Sequence, residues 1–314
     1  MTRHTIIAIL VFIICGRIVF PQCCASSGNP IGSTVNLGLL DKRVLRAALF
    51  YRISVSDKYY DGDEVYSGDI GTIKKAVSNY LGLLVGYGIS EKLTIEMETV
   101  YVINKTHLYE INDEKLSGFG LSDAVISLRP RIFSSQDSQF EISCAIGSNI
   151  PFSRDLQRVN GVTLPVDLQP STGSYGLVAQ SNIIKEFPFS SINFLLINRF
   201  EKYFENKQKY NYGNSYSTSF FFSKHFSVEN SRLQGWTAIM QLKNQIRSKH
   251  LKDGQLIEGS GNCSFFLIPQ LNVSLAGSWN ISMLIDIPVY QHFNEIQLGN
   301  KLSSSIILIK DFTL

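Results

Sequence analysis

Charged residues at every second position are the features of this sequence that could do chemistry. Glu96 and Glu98 share one side of an alternating segment, while Ile95 and Met97 occupy the other side. An extended backbone, with its repeat of two residues, presents both carboxylates on one face. Acidic and basic rows that face a common aqueous interior would create a transverse field and select solutes by charge. Alternatively, such rows would pair across adjacent strands and simply hold the interior together.

Other charged residues occupy the polar side of similar segments along the chain. Basic members come mainly from the first, fourth and ninth segments, and acidic members from the third, fourth, fifth and eleventh. We predict that the following residues line an interior: Arg46, Arg52, Glu96, Glu98, Asp123, Arg129, Arg131, Glu141, Lys243, Arg247 and Asp286. The sequence leaves open whether they select solutes or only pair with one another.

Local signatures of catalysis and metal binding are missing from the sequence. His225 and His292 occur with many serines, but no GxSxG or HExxH motif accompanies them. The cysteines form neither a CxxC motif nor a Cys/His spacing suited to zinc. The acidic loop from Asp57 to Asp69 could hold calcium, but it lacks an EF-hand pattern, so we interpret it as a solvated loop. We therefore predict no enzymatic activity, no catalytic residue, no metal site and no cofactor.

The composition favours many strands joined by polar loops. Of the 314 residues, 44% are apolar and only 18% are charged, and proline is scarce. The net charge of +3 is spread along the chain without a basic tail or stripe, so we predict no nucleic-acid partner.

The first residues are typical of an export signal. Arg3 and His4 precede an apolar run from Ile6 to Cys15, and small residues follow from Ala25. A run of this length is too short to span a membrane, and Arg17 interrupts its continuation, so we predict a signal peptide over residues 1–25. An N-terminal membrane anchor is the alternative, because Arg17 could extend to the interface. Lipidation of Cys23 or Cys24 is a further alternative, although Pro21-Gln22 is a poor processing context.

After a short N-terminal segment over residues 26–42, residues 43–314 repeat a single pattern. Segments of 10 to 15 residues alternate apolar with polar or small side chains, which predicts strands with two different faces. About twelve strands are predicted in this way. They lie near residues 43–56, 75–89, 92–104, 120–132, 139–150, 173–186, 191–200, 215–226, 236–248, 262–275, 279–290 and 301–313.

The order of loop lengths separates a membrane barrel from a soluble sandwich. The connections after strands one, three, five, seven and nine are long, and those after strands two, four, six and ten are short. Up-and-down membrane barrels alternate short periplasmic turns with long external loops, whereas a Greek-key sandwich has no reason to do so. The connection from about Ser227 to Gly235 is the exception, since it is of medium length where a short turn is expected. We therefore predict an all-β fold, a transmembrane up-and-down antiparallel β-barrel.

Three short stretches resemble outer-membrane transporters associated with the meta-cleavage pathway of phenol degradation. These stretches are Gly118 to Asp123, with its G-x-G-x-x-D pattern, Ala145 to Pro151, and Pro170 to Gly176. The resemblance covers mainly residues 115–187. Pro151-Phe152-Ser153 replaces the P-T-G of that family, and Ser171 replaces the first glycine of its G-T-G-S motif. The resemblance implies a barrel of about this strand number and a role in uptake of small compounds, including hydrophobic ones.

These observations together predict a protein of the outer membrane of a Gram-negative bacterium. Its expected partners are outer-membrane lipid, a small-molecule solute and, during biogenesis, the barrel-assembly machinery. We expect a channel or transporter for passive passage of small solutes. A secreted or periplasmic β-sandwich that binds a partner is the main alternative, and a barrel-embedded hydrolase is the next.

Overall fold

The computed structural model describes residues 39–68, 73–110, 114–228 and 232–314. The predicted signal peptide, the alternative anchor and the possible lipidation of Cys23 or Cys24 lie outside the described residues. No helix within these ranges is long and apolar enough to cross a membrane.

Twelve long antiparallel strands form the main sheet, and each strand pairs with its neighbour in sequence. Their bounds are β1 Val44–Ser56, β2 Ile73–Ser90, β3 Leu93–Tyr109, β4 Lys115–Ser135, β5 Phe140–Ile150, β6 Gly176–Phe187, β7 Ile192–Tyr203, β8 Ser215–Ser227, β9 Leu233–Arg247, β10 Asn262–Leu275, β11 Trp279–Gly299 and β12 Leu302–Thr313.

Pairing between the first and last strands closes the sheet into a cylinder. β1 pairs with β12 from Val44↔Thr313 to Val55↔Leu302, so no strand of the twelve is left as an edge. The prediction of an all-β, up-and-down antiparallel barrel of about twelve strands is confirmed. The β-sandwich alternative is wrong, because a sandwich has two separate sheets whereas this single sheet returns to its own first strand.

Several strands are longer than predicted at one end of the barrel. β3 and β4 continue as a ribbon, with Thr106 opposite Ser117, through residues predicted to be a loop. β11 extends beyond its predicted end to Gly299 and pairs there with Lys58–Gly62. The extensions mix polar and apolar residues without the regular alternation that revealed the other strands. The end with the long connections is called the loop side, and the opposite end is called the turn side.

Each strand places apolar side chains outside and mostly small or polar side chains inside. In β2, Leu81 and Ile89 are exposed on the outside, whereas Tyr80 and Leu84 are buried within the cylinder. The interior is not uniformly polar, because one part of it holds a buried apolar cluster. That cluster consists of Ala48, Phe50, Leu84, Ile268, Leu284, Ile307 and Ile309.

The described part of the N-terminal segment enters the barrel at the turn side. The Leu39 N–H donates to Glu141 Oε1 at 3.3 Å, and the buried Leu40 donates its N–H to Thr94 Oγ1 at 3.2 Å. Gly88 makes room for this segment, since a Cβ there would lie 2.0 Å from the Asp41 carbonyl oxygen. The segment before β1 is therefore packed against the inner wall.

Candidate functional site

Ion pairs lie inside the barrel at several levels. Most of the charged residues predicted from alternation are brought together in them. The pairs, with their N to O distances, are Arg46 with Asp311 at 2.6 Å, Arg52 with Asp286 at 2.7 Å, Arg129 with Glu96 at 2.9 Å, Arg131 with Glu141 at 3.0 Å, and Arg199 with Glu98 at 3.1 Å and with Glu201 at 2.7 Å. Arginine suits this task because its planar fork of donors matches a carboxylate.

One ion pair spans the lumen from wall to wall. Arg199 lies on β7 and Glu98 on β3, with β4, β5 and β6 between them. The two side chains meet in bidentate fashion, with Nη1 to Oε1 at 3.1 Å and Nη2 to Oε2 at 3.2 Å. Arg199 Nε also donates to Glu201 Oε1 at 2.7 Å. We call Glu98, Arg199 and Glu201 the lumen bar.

The other pairs lie along the wall. Arg129 and Glu96 are on adjacent strands, and both are buried. Arg52 on β1 reaches over β12 to Asp286 on β11, and both side chains are only 7% exposed. Charges of both signs thus alternate around the interior, and their fields largely cancel at a distance.

Three of the predicted interior residues have other surroundings. Asp123 accepts hydrogen bonds from hydroxyl and amide groups of the connection between β5 and β6. Arg247 ends β9 beside the loop-side opening. Lys243, on β9, makes no ion pair with any residue in the described ranges.

Arg199, Glu201 and Asp311 belong to the site but were not predicted from the sequence. In β7, Leu195 and Ile197 are buried on the same inner face as Arg199, so this strand has apolar residues on both sides. Alternation therefore gave no polar face to assign. The position of Arg199, two residues after Ile197 and therefore on the same face of the strand, was the only sequence signal that placed it inside the barrel.

Two cavities lie on opposite sides of the lumen bar. The outer cavity opens at the loop side, has a volume of about 190 Å³ and includes Glu98, Glu201 and Tyr203 in its wall. The inner cavity lies at the turn side, has a volume of about 320 Å³ and includes Leu39 and Arg46. A solute that crossed the barrel would have to pass from one cavity to the other.

An aromatic cluster borders the outer cavity. Tyr203, Tyr210, Tyr212 and His250 contact one another with ring centroids 4.8 to 6.0 Å apart. The Gly213 N–H donates to His250 Nδ1 at 2.8 Å, which requires that nitrogen to be unprotonated. Burial, with the charge of nearby Arg247, lowers the pKa of His250 from 6.5 to about 3. The ring is therefore a neutral structural part of the loop-side opening.

A closed cylinder with an apolar outside and a charged inside defines an outer-membrane β-barrel fold. Solved structures agree at this level. The chain is similar to an outer membrane channel from Pseudomonas putida F1, with 12% identity, a TM-score of 0.69, and coverage of 89% of this chain and 99% of that chain. It is also similar to the β domain of the autotransporter BrkA of Bordetella, with 8% identity, a TM-score of 0.51, and coverage of 86% and 100%.

No protein family matches the chain, and no curated protein is similar to it in sequence. Identities this low establish the fold and leave the activity to be argued from the chain's own residues.

Proposed function

We propose that the protein is a channel of the bacterial outer membrane through which small solutes pass passively. The observation that carries the proposal is the closed barrel itself, with two cavities separated by a bar of charged side chains. Short turns and the C-terminal end face the periplasm, and the long connections face the exterior. Outer-membrane lipid surrounds the wall, and the barrel-assembly machinery inserts it.

The outer surface favours lipid over water. Leu128, Ile146, Leu242 and Met283 are each 48 to 72% exposed although they lie within strands. An apolar surface that continues around a whole cylinder far exceeds the patches that soluble monomers expose. Contact with hydrocarbon removes the cost of exposing this apolar surface to water. Closure of the sheet also pairs the backbone of the first strand with that of the last, which lipid would otherwise leave unpaired.

The charged interior determines which solutes would pass. We propose that the residues predicted from alternation, together with Arg199, Glu201 and Asp311, line the path. Because most of the acidic groups are paired with arginines at 2.6 to 3.1 Å, a permeating ion meets little net charge. Small neutral or weakly charged solutes would therefore be favoured over multivalent ions. The lumen bar lies across this path between the two cavities, so a permeating solute has to pass beside it.

Uptake of small compounds, including hydrophobic ones, is the finer role implied by the resemblance of residues 115–187 to transporters associated with phenol degradation. We extend that role to this chain as part of the proposal.

We also propose that the barrel is not an enzyme, because the two histidines considered earlier lie apart. His225 is hydrogen-bonded to Thr237 at 3.0 Å on the turn side, and His292 lies beside Gly62 on the loop side.

Single-channel recording in a planar bilayer tests the function. The purified barrel should give stepwise currents, and small neutral and apolar solutes should reduce them as they enter. Glu98→Gln should enlarge the current step, because it breaks the lumen bar. Asp253→Asn is the matched control, since Asp253 forms an exposed ion pair with Lys252 in a connection that is not part of the lumen wall. A folded barrel that conducts nothing and releases no solute from vesicles would contradict the proposal.

A further inference from the structure

Two sequence motifs that the channel proposal does not use lie against each other at the loop side. The first is Gly118-x-Gly120-x-x-Asp123 at the start of β4. The second, Ser171 to Ser174, ends the long connection between β5 and β6. We call this connection, residues 151–175, the mouth loop.

The mouth loop turns inward instead of extending into solvent. Leu164 and Leu168 are only 2% and 0% exposed, although both lie in a connection between strands. Residues from Val166 to Thr172 form part of the outer cavity wall. Lys105 on β3 fixes this part by donating from Nζ to the Gln169 carbonyl oxygen at 2.9 Å. The loop therefore narrows the opening of the barrel.

The two glycines of the first motif provide the surface on which the loop lies. A Cβ at Gly118 would lie 1.8 Å from the Leu168 carbonyl oxygen, which is an impossible contact. Gly120 has a φ of +129°, which side-chain-bearing residues rarely adopt, and Pro170 packs 3.7 Å from the place of its missing Cβ. Both positions allow the backbone of the loop to approach the wall.

Asp123 holds the loop on this surface. Its Oδ1 accepts from Ser171 Oγ at 2.6 Å and from the Thr172 N–H at 3.1 Å. Its Oδ2 accepts from Thr172 Oγ1 and from Asn149 Nδ2 at 3.0 Å. Asn149 also donates to the Ser174 carbonyl oxygen at 3.0 Å, which ties the end of the loop to β5. Hydrogen bonds to a carboxylate are stronger than those between neutral groups.

We propose that Asp123 is a positioning residue that docks the mouth loop on Gly118 and Gly120 and thereby sets the open area of the channel. The inference rests on the proposed channel function and adds a determinant of pore size to it. The two motifs contact each other, and the mouth loop that they hold in place constricts the channel opening.

The test compares Asp123→Ala with a control that removes the same charge from the same cavity. Asp167 also lines the outer cavity, but its carboxylate accepts no hydrogen bond from the part of the chain that the structure describes. We expect Asp123→Ala to raise the single-channel conductance at least about twofold and to admit larger solutes, because the constriction is released. Asp167→Ala removes a charge from the same cavity without removing a contact that docks the loop, so it should not raise the size limit for solutes.

Limited trypsin digestion reports on the loop independently of conduction. Arg154 and Arg158 are cleavage sites within the mouth loop, and cleavage requires the local structure to open. Asp123→Ala should be cut there faster than the wild type and Asp167→Ala. If Asp123→Ala does not fold, the double variant Ser171→Ala with Thr172→Val is used instead. It removes two of the hydrogen-bond donors to Asp123, the Ser171 and Thr172 hydroxyls, and the same results are expected.

A cysteine pair tests closure directly. Asp123→Cys with Thr172→Cys, with the other cysteines changed to serine, should conduct as the released form when reduced. Oxidation should return the conductance toward the wild-type value, because the two side chains meet in the native contact. No change of conductance with redox state would count against the docked constriction.

Two results would overturn the proposal. The first is a folded Asp123→Ala barrel whose cleavage rate equals that of Asp167→Ala. The second is faster cleavage with unchanged conductance, because the loop would then dock without limiting the pore. If neither the wild type nor any variant conducts, the proposed function is contradicted, and so is the limit that the loop sets on the pore area. The difference in trypsin cleavage rate between Asp123→Ala and the wild type still decides whether Asp123 docks the loop.

Discussion

Removal of Arg199 takes away the guanidinium that two buried carboxylates, Glu98 and Glu201, share. Arg199 is 11% exposed, and its partners Glu98 and Glu201 are 9% and 13% exposed, so water screens this cluster weakly. Breaking a buried ion pair by removing one partner costs about 3 to 5 kcal/mol. We predict that Arg199→Met lowers the free energy of unfolding by about this amount. The cost arises because two buried carboxylates lose the guanidinium that lies between them.

The triple variant Glu98→Gln, Glu201→Gln and Arg199→Met is the matched control. It removes all three charges of the lumen bar together, and replacement of a complete buried ion pair by uncharged side chains is often nearly neutral. Urea titration of the barrel in lipid vesicles, followed by tryptophan fluorescence and by gel mobility, gives the free energies. In bilayers, Arg199→Met should also shift the reversal potential toward cation preference. Equal stability of Arg199→Met and wild type, within about 0.5 kcal/mol, would refute the reasoning.

Three further predictions follow from the interior and the loop side. Substitution of Glu96 and Glu98 by lysine should reduce any preference of the channel for cations. An unchanged reversal potential would mean that the two carboxylates only hold the barrel interior together and do not select ions. His250 has a pKa of about 3 when folded and about 6.5 when unfolded, so its contribution to loop stability is full above pH 6.5 and is lost as the pH falls toward 3. The temperature of thermal unfolding, measured across this pH range, should show the loss, and an identical pH profile in His250→Asn would contradict it. Gly82→Ala would place a Cβ 1.8 Å from the Phe50 ring and should lower the free energy of unfolding by about 1 to 3 kcal/mol. Phe50→Leu, added to Gly82→Ala, should restore part of the lost stability in thermal unfolding. If the effects of the two substitutions simply add in the double variant, the contact between the two positions is contradicted.

Alternation gave the strand number because the two faces of each strand meet different media. Lipid demands apolar residues at every second position, and that demand persists wherever the wall crosses the bilayer. Above the membrane both faces of a ribbon meet water, so the Thr106 and Ser117 extensions carried no such pattern. The sequence therefore predicted the membrane part of each strand more accurately than its outer part.

The interior partners were harder to predict because closure brings together residues that are distant in sequence. Glu98 was predicted from its place beside Glu96, but its partner Arg199 is 101 residues away and on a strand with two apolar faces. Similarly, Arg46 was expected inside the barrel, while Asp311 is 265 residues distant. Faces can be assigned strand by strand, whereas contacts across the lumen depend on the register of the whole cylinder.

The central claim is that the apolar outer face of the cylinder contacts lipid. Gel migration of the exported chain in detergent, with and without boiling, tests this most directly when combined with cell fractionation. We predict that the chain resides in the outer-membrane fraction, needs detergent for extraction, and migrates faster before boiling because the closed barrel resists unfolding. Recovery of the chain as a freely soluble monomer in the aqueous fraction, with the same migration before and after boiling, would contradict the account.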